Sequence, residues 1–159
     1  EAIGVRETEP EVRLRKVAAY LADIVWRGHP DYRGDQAVDM VAYSAMTGVD
    51  HPGRVFLSEV LAVRYMGLKQ KSVSQALMNL SGPAANMKAR LLGAAFRVAY
   101  PMSAAMPGVL PRTRFSLDDG TLALHLPADL AFLDGEHLRN RLNQLASVVG
   151  IKATEVFSD

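Results

Sequence analysis

Residues 21 to 34 read LADIVWRGHPDYRG, with the carboxylate Asp23 near the end of an apolar-periodic segment and His29 in the loop that follows. A His-Asp doublet on a helix, with loop histidines after it, is how a chain grips a divalent ion that activates water, because imidazole and carboxylate together suit such metals. Here Ala22, which cannot ligate, precedes the acid. The four histidines, His29, His51, His125 and His137, show neither HxxxH nor HExxH spacing, so a zinc-protease layout has no support, and His125 and His137 read as surface or edge residues. No glycine-rich loop ends in Lys-Ser/Thr, and no G-x-S-x-G elbow is present. With no cysteine in the chain, thiolate metal sites, thiol nucleophiles and disulfides are excluded together.

The second chemical signal is positive charge. Residues 51 to 117 carry nine Lys/Arg against the single acid Glu59, whereas residues 1 to 50 carry six against nine and residues 118 to 159 three against seven. A +8 block between acidic flanks raises the local potential for an anion, or it is a basic face that docks on acidic parts of the same protein. Within NMKARLLGAAFRVAY, residues 86 to 100, most of the helical circumference is apolar, but Asn86, Arg90, Gly93, Arg97 and Tyr100 recur on one stripe. Two guanidiniums one heptad apart form a ladder that grips successive phosphates bidentately, or they pair with carboxylates inside a bundle.

Elements must place these groups. The 159 residues, 49% hydrophobic and 22% charged, suffice for a buried core in a globular chain. Charges interrupt every apolar stretch, so no membrane span is expected. The opening EAIGVRETEP lacks Met and reads as a piece of something longer. The absence of cysteine is compatible with a reducing compartment, and a cytoplasmic location is expected. Thr8 as cap and Pro10 in the first turn predict a helix from residue 9 to about Arg27, on which Lys16, Tyr20, Asp23 and Arg27 share a polar stripe. Further helices are predicted over Asp35 to Thr47, from His51 to Met66-Gly67, over Ser72 to Leu80, and from Ala84 to Tyr100. MSAAMPGVLP reads as a linker. Beyond it, alternating residues around Asp119-Gly120 predict a hairpin, Asp134 a cap for a helix from Gly135 to Val149, and IKATEVF a last strand. The fold class is mainly α: an N-terminal extension over 1–8, a helical domain over 9–105, and a small β-β-α-β subdomain over 111–159.

LADIVWRGHPDYRG, DHPGRVFLSEVLAVRY and MKARLLGAAFRVAYPMS, in this order and at these distances, resemble the C-terminal half of the exopolyphosphatase and guanosine pentaphosphate phosphohydrolase (Ppx/GppA) family, in the branch whose loop reads HPDYRG. The resemblance covers the chain from about Glu9 to Phe157. It implies a bacterial hydrolase of inorganic polyphosphate or pppGpp that works with Mg²⁺ between two N-terminal actin-like domains, and a C-terminal helical domain of HD-like fold. This chain would then be an accessory module and likewise a homodimer component, with no catalytic residue and no metal or cofactor of its own. Against the HD pattern, Ala22-Asp23 stands where His-Asp would be, Met66 where a later His would be, and Tyr100 where the closing Asp would be.

The residues expected to meet the polyanion are Arg90, Arg97, Arg64, Lys69, Lys71, Arg54, His51, His29 and Arg33. Asp23, left without a metal, is expected to pair with Arg97, Arg27 or Arg90. A long polyphosphate uses many weak cationic contacts and a mononucleotide few, which favours polyphosphate over pppGpp. Two other classes stay open. A dimerisation or regulatory module would use the loops and the basic block as an interface. A nucleic-acid module is disfavoured because its stacking aromatics should be exposed, whereas the aromatics here lie mostly in apolar patterns.

Overall fold

The computed structural model describes residues 5–69, 73–104 and 106–158. The chain divides into two compact units, Glu7–Ala94 and the part from Ala95 onward, and the division falls inside one helix.

In the first unit, α1 (Glu9–Leu21), α2 (Arg33–Ala42) and α3 (His51–Met66) are followed by α4 (Gln75–Ser103), most of which belongs here. At the start of α1 the Thr8 backbone N–H donates to Glu11 Oε2 at 2.7 Å, a reciprocal cap that satisfies a donor no helical turn can reach. α1 is shorter than expected. It stops at Leu21, and residues 22–28 form tight turns whose N–H groups reach back three residues, as in Ile24 N–H to Leu21 O and Trp26 N–H to Asp23 O, both 3.0 Å. Asp23 and Arg27 therefore leave the stripe shared with Lys16 and Tyr20. α2 begins two residues before its expected start, at Arg33, and ends early, at Ala42.

α3 starts where Asp50 Oδ1 accepts from the Gly53 N–H at 2.8 Å and stops at Gly67, whose φ of 88° is open to glycine alone at little cost. Its residues from Val55 to Arg64 are all buried, Ser58, Glu59 and Arg64 included. Neighbours close on it through small residues. Gly34 of α2 lies against Met66, where a Cβ would come within 2.7 Å of the sulfur. Gly93 of α4 lies against α3, where a Cβ would come within 2.7 Å of both Val60 O and Val63 Cβ. Val38, Val55, Ala62 and Val73 form a core cluster that Met66, Leu77 and Met78 extend. α4 breaks once, at Gly82 with φ 79° and ψ 163°, which separates the two helices expected there.

Among the described residues, one carboxylate sits inside this packing. Glu59 is nearly inaccessible, and Arg90 Nη1 donates to its Oε1 at 2.7 Å while Nη2 donates to Leu68 O at 2.7 Å. Burial raises the Glu59 carboxyl above its ordinary value, and the opposing pull of Arg90 is the smaller effect.

In the second unit β1 (Arg114–Asp118) and β2 (Thr121–Leu126) pair antiparallel, and β3 (Ala153–Ser158) joins β2 in parallel after α5 (Glu136–Val148). The hairpin turns at Asp119 (φ 49°) and Gly120 (φ 75°), the two left-handed positions that a two-residue turn matched to strand twist requires. Leu122, Leu124 and Leu126 on one face of β2, and Leu138, Leu142, Leu145 and Ala146 on one side of α5, are buried. Asp134 does not cap α5: Gly135 is the cap residue, and Asp134 Oδ2 accepts instead from Arg139 at 2.6 Å. The linker is also shorter than its composition suggested, since α4 runs to Ser103 and residues 110–112 form a 3₁₀ turn. The architecture is mainly α with a small sheet after the helices. Among the described residues every strand follows Pro101, and no helix is long and apolar enough to cross a membrane.

Gly93→Ala should lower stability by about 1 to 3 kcal/mol, because a backbone oxygen occupies the space of the new methyl and cannot rotate away; urea unfolding followed by circular dichroism measures it. Arg90→Ala should cost about 2 to 3 kcal/mol, below the full penalty for orphaning a buried charge because Arg90 is itself a third exposed. The Glu59 carboxyl titrates higher folded than unfolded, so its contribution is full below its ordinary value of 4.5 and is lost as pH rises through the folded value. Wild-type stability should therefore fall relative to Glu59→Gln as pH climbs above that range, in paired urea melts at several pH values.

Candidate anion-binding site

The C-terminal end of α3 and the loop before α2 bring together the densest group of sequence-predicted residues. Tyr65 stands between two cations: the Arg64 guanidinium lies 4.9 Å from its ring centre and that of Arg33 5.8 Å. Helix geometry explains the pairing. Arg33 is the first residue of α2, which packs against α3 through Gly34, so its long side chain lies over the last turn of α3. Burial raises the Tyr65 phenol above its usual range, partly offset by the charge of Arg64, so it stays neutral, and its hydroxyl is shut off from solvent.

Asp23 finds its cation here. Its Oδ1 accepts from Arg64 Nη2 at 3.1 Å, with the arginine side chain 9% exposed and the aspartate 42%. The partner is thus Arg64, a residue assigned to the groove, and not Arg97, Arg27 or Arg90. Arg27 stacks over Trp26 at 4.7 Å and Arg90 is held by Glu59. The reason is the early end of α1, which turns Asp23 toward the end of α3.

The other expected groups are dispersed. Arg54 donates to Ser44 O at 2.7 Å near the start of α3, and with His51 and Ser58 it lines a cavity of about 30 Å³. At 1.5 Å per residue that end is about 20 Å from Arg64. His29 faces Asp31 at 3.8 Å and the Tyr32 ring at 5.4 Å between centres. Lys69 is exposed just beyond α3, and Lys71 lies outside the described residues. Arg97 and Tyr100 belong to the second unit, where the Arg97 carbonyl accepts from Arg141 Nη1 at 3.2 Å. Arg33, Lys69 and His51 are the expected anion ligands in the first unit whose side chains make no hydrogen bond or ion pair among the described residues. A cleft of about 600 Å³ opens elsewhere, between Pro10, Leu14, Pro52 and Phe56, and none of the expected anion ligands lines it.

The positions that would hold a metal in an HD site do not converge on one. Met66 packs in the core, Ala22 offers no ligand, Asp23 is neutralised by Arg64, and among the described residues no three His, Asp or Glu gather in one place. Sequence reasoning passed over Tyr65, although VRYM sets it beside Arg64. It also overlooked the demand of Glu59, whose lone charge in the apolar run VFLSEVLAV already called for a buried cation. The aromatics expected inside are in part outside: Tyr20, Trp26, Tyr32 and Tyr43 are exposed.

No curated protein matched the chain. A family profile described as "Exopolyphosphatase, C-terminal" matches residues 1–156, nearly its whole length. The three stretches that suggested this family lie on the helices and loop just described, and the chain belongs to the exopolyphosphatase C-terminal domain family.

Proposed function

We propose that this chain is the accessory C-terminal part of a polyphosphate phosphohydrolase, an HD-like helical domain without its metal that holds the polyanion while hydrolysis proceeds in N-terminal actin-like domains. The observation that carries the reading is the cation cluster around Tyr65. Arg33 has its guanidinium unengaged by any carboxylate among the described residues, and Lys69 lies exposed beyond the end of α3. Arg33 suits bidentate contact with a phosphate and Lys69 a point contact, while the Tyr65 ring, its hydroxyl buried, is the packing surface on which the Arg33 guanidinium lies. Arg64, with Asp23 as its counter-ion, sets the position of the cluster. Arg90 is assigned to the core and not to the groove.

Mg²⁺ supplies the Lewis acidity for phosphate release when bound in the parent enzyme. Nothing at Ala22, Asp23 or Met66 fits such an ion, so this chain's residues only bind and orient the substrate. A polyphosphate long enough to run past Arg33 and Lys69 keeps adding weak contacts, which favours it over pppGpp.

Two outcomes are expected. Affinity for polyphosphate of graded length, measured by isothermal titration, should climb with chain length, fall with salt and drop about tenfold in Arg33→Ala while the circular dichroism spectrum is unchanged; affinity that ignores length, or an equal preference for DNA, would sink the reading. The pure chain should release no phosphate from polyphosphate with Mg²⁺ or Mn²⁺, and measurable turnover would place catalysis within it.

A further inference from the structure

We propose that the first unit holds a buried site for one monatomic anion, chloride being the common one, bound between Arg54 and Ser58 on α3. His51, Arg54 and Ser58 are spaced by three and four along α3, so they share a face of the helix. That face closes on a cavity of about 30 Å³ whose other side chains are apolar, from Ala42 at the end of α2 to Leu77 in the first part of α4. Ser58 is fully buried, and its hydroxyl has no hydrogen-bond partner among the described residues, not even a carbonyl of its own helix. The Nε–H of Arg54 is likewise shut off from solvent and unmatched among them, although Nη1 of the same guanidinium donates to Ser44 O at 2.7 Å. A buried donor left unmatched is costly, and two of them a helical turn apart on one cavity call for a common acceptor.

The acceptor must also be negative. The half-buried guanidinium of Arg54 brings a full charge to the cavity, and no carboxylate among the described residues pairs with it. The acids nearest to Arg54 and Ser58 in sequence are engaged elsewhere: Asp50 accepts from the Gly53 N–H and Glu59 from Arg90. A water that accepted from both donors would find a single side-chain acceptor in the lining, the His51 imidazole, for its own two hydrogens, and it would leave the charge unanswered. A halide meets both donors and the charge at once. Size selects among anions. At about 30 Å³ the cavity is roughly twice the smallest that holds a water, which admits a monatomic ion and leaves no room for a tetrahedral phosphate. Arg54 and His51 thereby leave the set of polyphosphate ligands, and the site does not rest on the Arg33 cluster. With the ion in place, the end of α2 and the first part of α4 are tied to α3 through it, so folding takes up one anion.

Linkage provides the test, because an anion bound only by the folded chain must stabilise it. Urea unfolding is followed near neutral pH and at fixed ionic strength, with sodium chloride exchanged for sodium gluconate, whose anion is too large for the cavity. Once the site is filled, the unfolding constant should fall about tenfold for each tenfold rise in chloride. Bromide should act as chloride does. Ser58→Ala should lose that dependence and, in gluconate alone, should match or exceed the unaltered chain in stability, because the change removes a buried donor that has no partner there. Arg33→Ala should keep the full dependence, which separates this site from the polyanion cluster. Crystals of the unaltered chain soaked in bromide should give an anomalous peak between Arg54 Nε and Ser58 Oγ, a reading that depends on no variant folding. Equal stability in chloride and gluconate, a chloride response that survives in Ser58→Ala, or water density without anomalous signal in the cavity would overturn the proposal.

Discussion

The first unit is organised around a helix buried on every side. α3 keeps Val55 through Arg64 out of solvent, and a helix so enclosed cannot carry a charge without a partner, because moving a carboxylate from water into packed side chains costs several kcal/mol. Glu59 is the charge that α3 carries inward, and Arg90 answers it from α4. The same guanidinium also takes the carbonyl of Leu68, just past the end of α3. One side chain thereby registers α4 on α3 and fixes where the chain leaves α3. Close approach at Gly93 makes the pairing possible, since the gap between the helices there leaves no space for a methyl group.

That arrangement redistributes the basic block. Nine cations in residues 51 to 117 suggest a continuous electropositive face, yet four of them are drawn to nearby oxygens: Arg90 to Glu59, Arg64 to Asp23, Arg54 to Ser44, Lys88 to Glu11 at 2.6 Å. Lys88 in turn holds the Glu11 carboxyl below its ordinary range, which ties the capped start of α1 to α4. The cations left for a polyanion are those at the margins, where a side chain reaches past its own helix. Arg33 is such a residue, and it enters from the acidic first third of the chain.

The loop after α1 follows the same rule. A carboxylate at the edge of packed helices must be matched by a positive charge or be exposed. Asp23 is half exposed and matched by Arg64. The apolar Met66 then fills volume beside Gly34. Side-chain volume and one ion pair thus hold the end of α3 against α2 and the loop after α1.

The elements themselves were legible because their signals are local. Thr8 and Pro10, Asp50 and Gly67, Gly82, Asp119-Gly120 and Gly150 punctuate the chain by backbone preference alone, and the shift from helical to alternating periodicity after Pro101 marks the small sheet. The resemblance to the family was carried by three contiguous stretches and needed no coordinates. Tertiary structure decided what the polar side chains do. Which carboxylate takes which guanidinium depends on distances between residues such as Glu59 and Arg90 or Asp23 and Arg64, far apart in sequence, and on a helix end at Leu21 that shifts Asp23 off the expected stripe. Nothing in periodicity shows that Tyr32, Met40 and Tyr43 face outward, because an apolar residue on an amphipathic helix reads as core until the helix it packs against is known. α2 turns its small residues, Gly34 and Ala37, toward α3 and leaves its large ones outside, since only small side chains fit so close an approach.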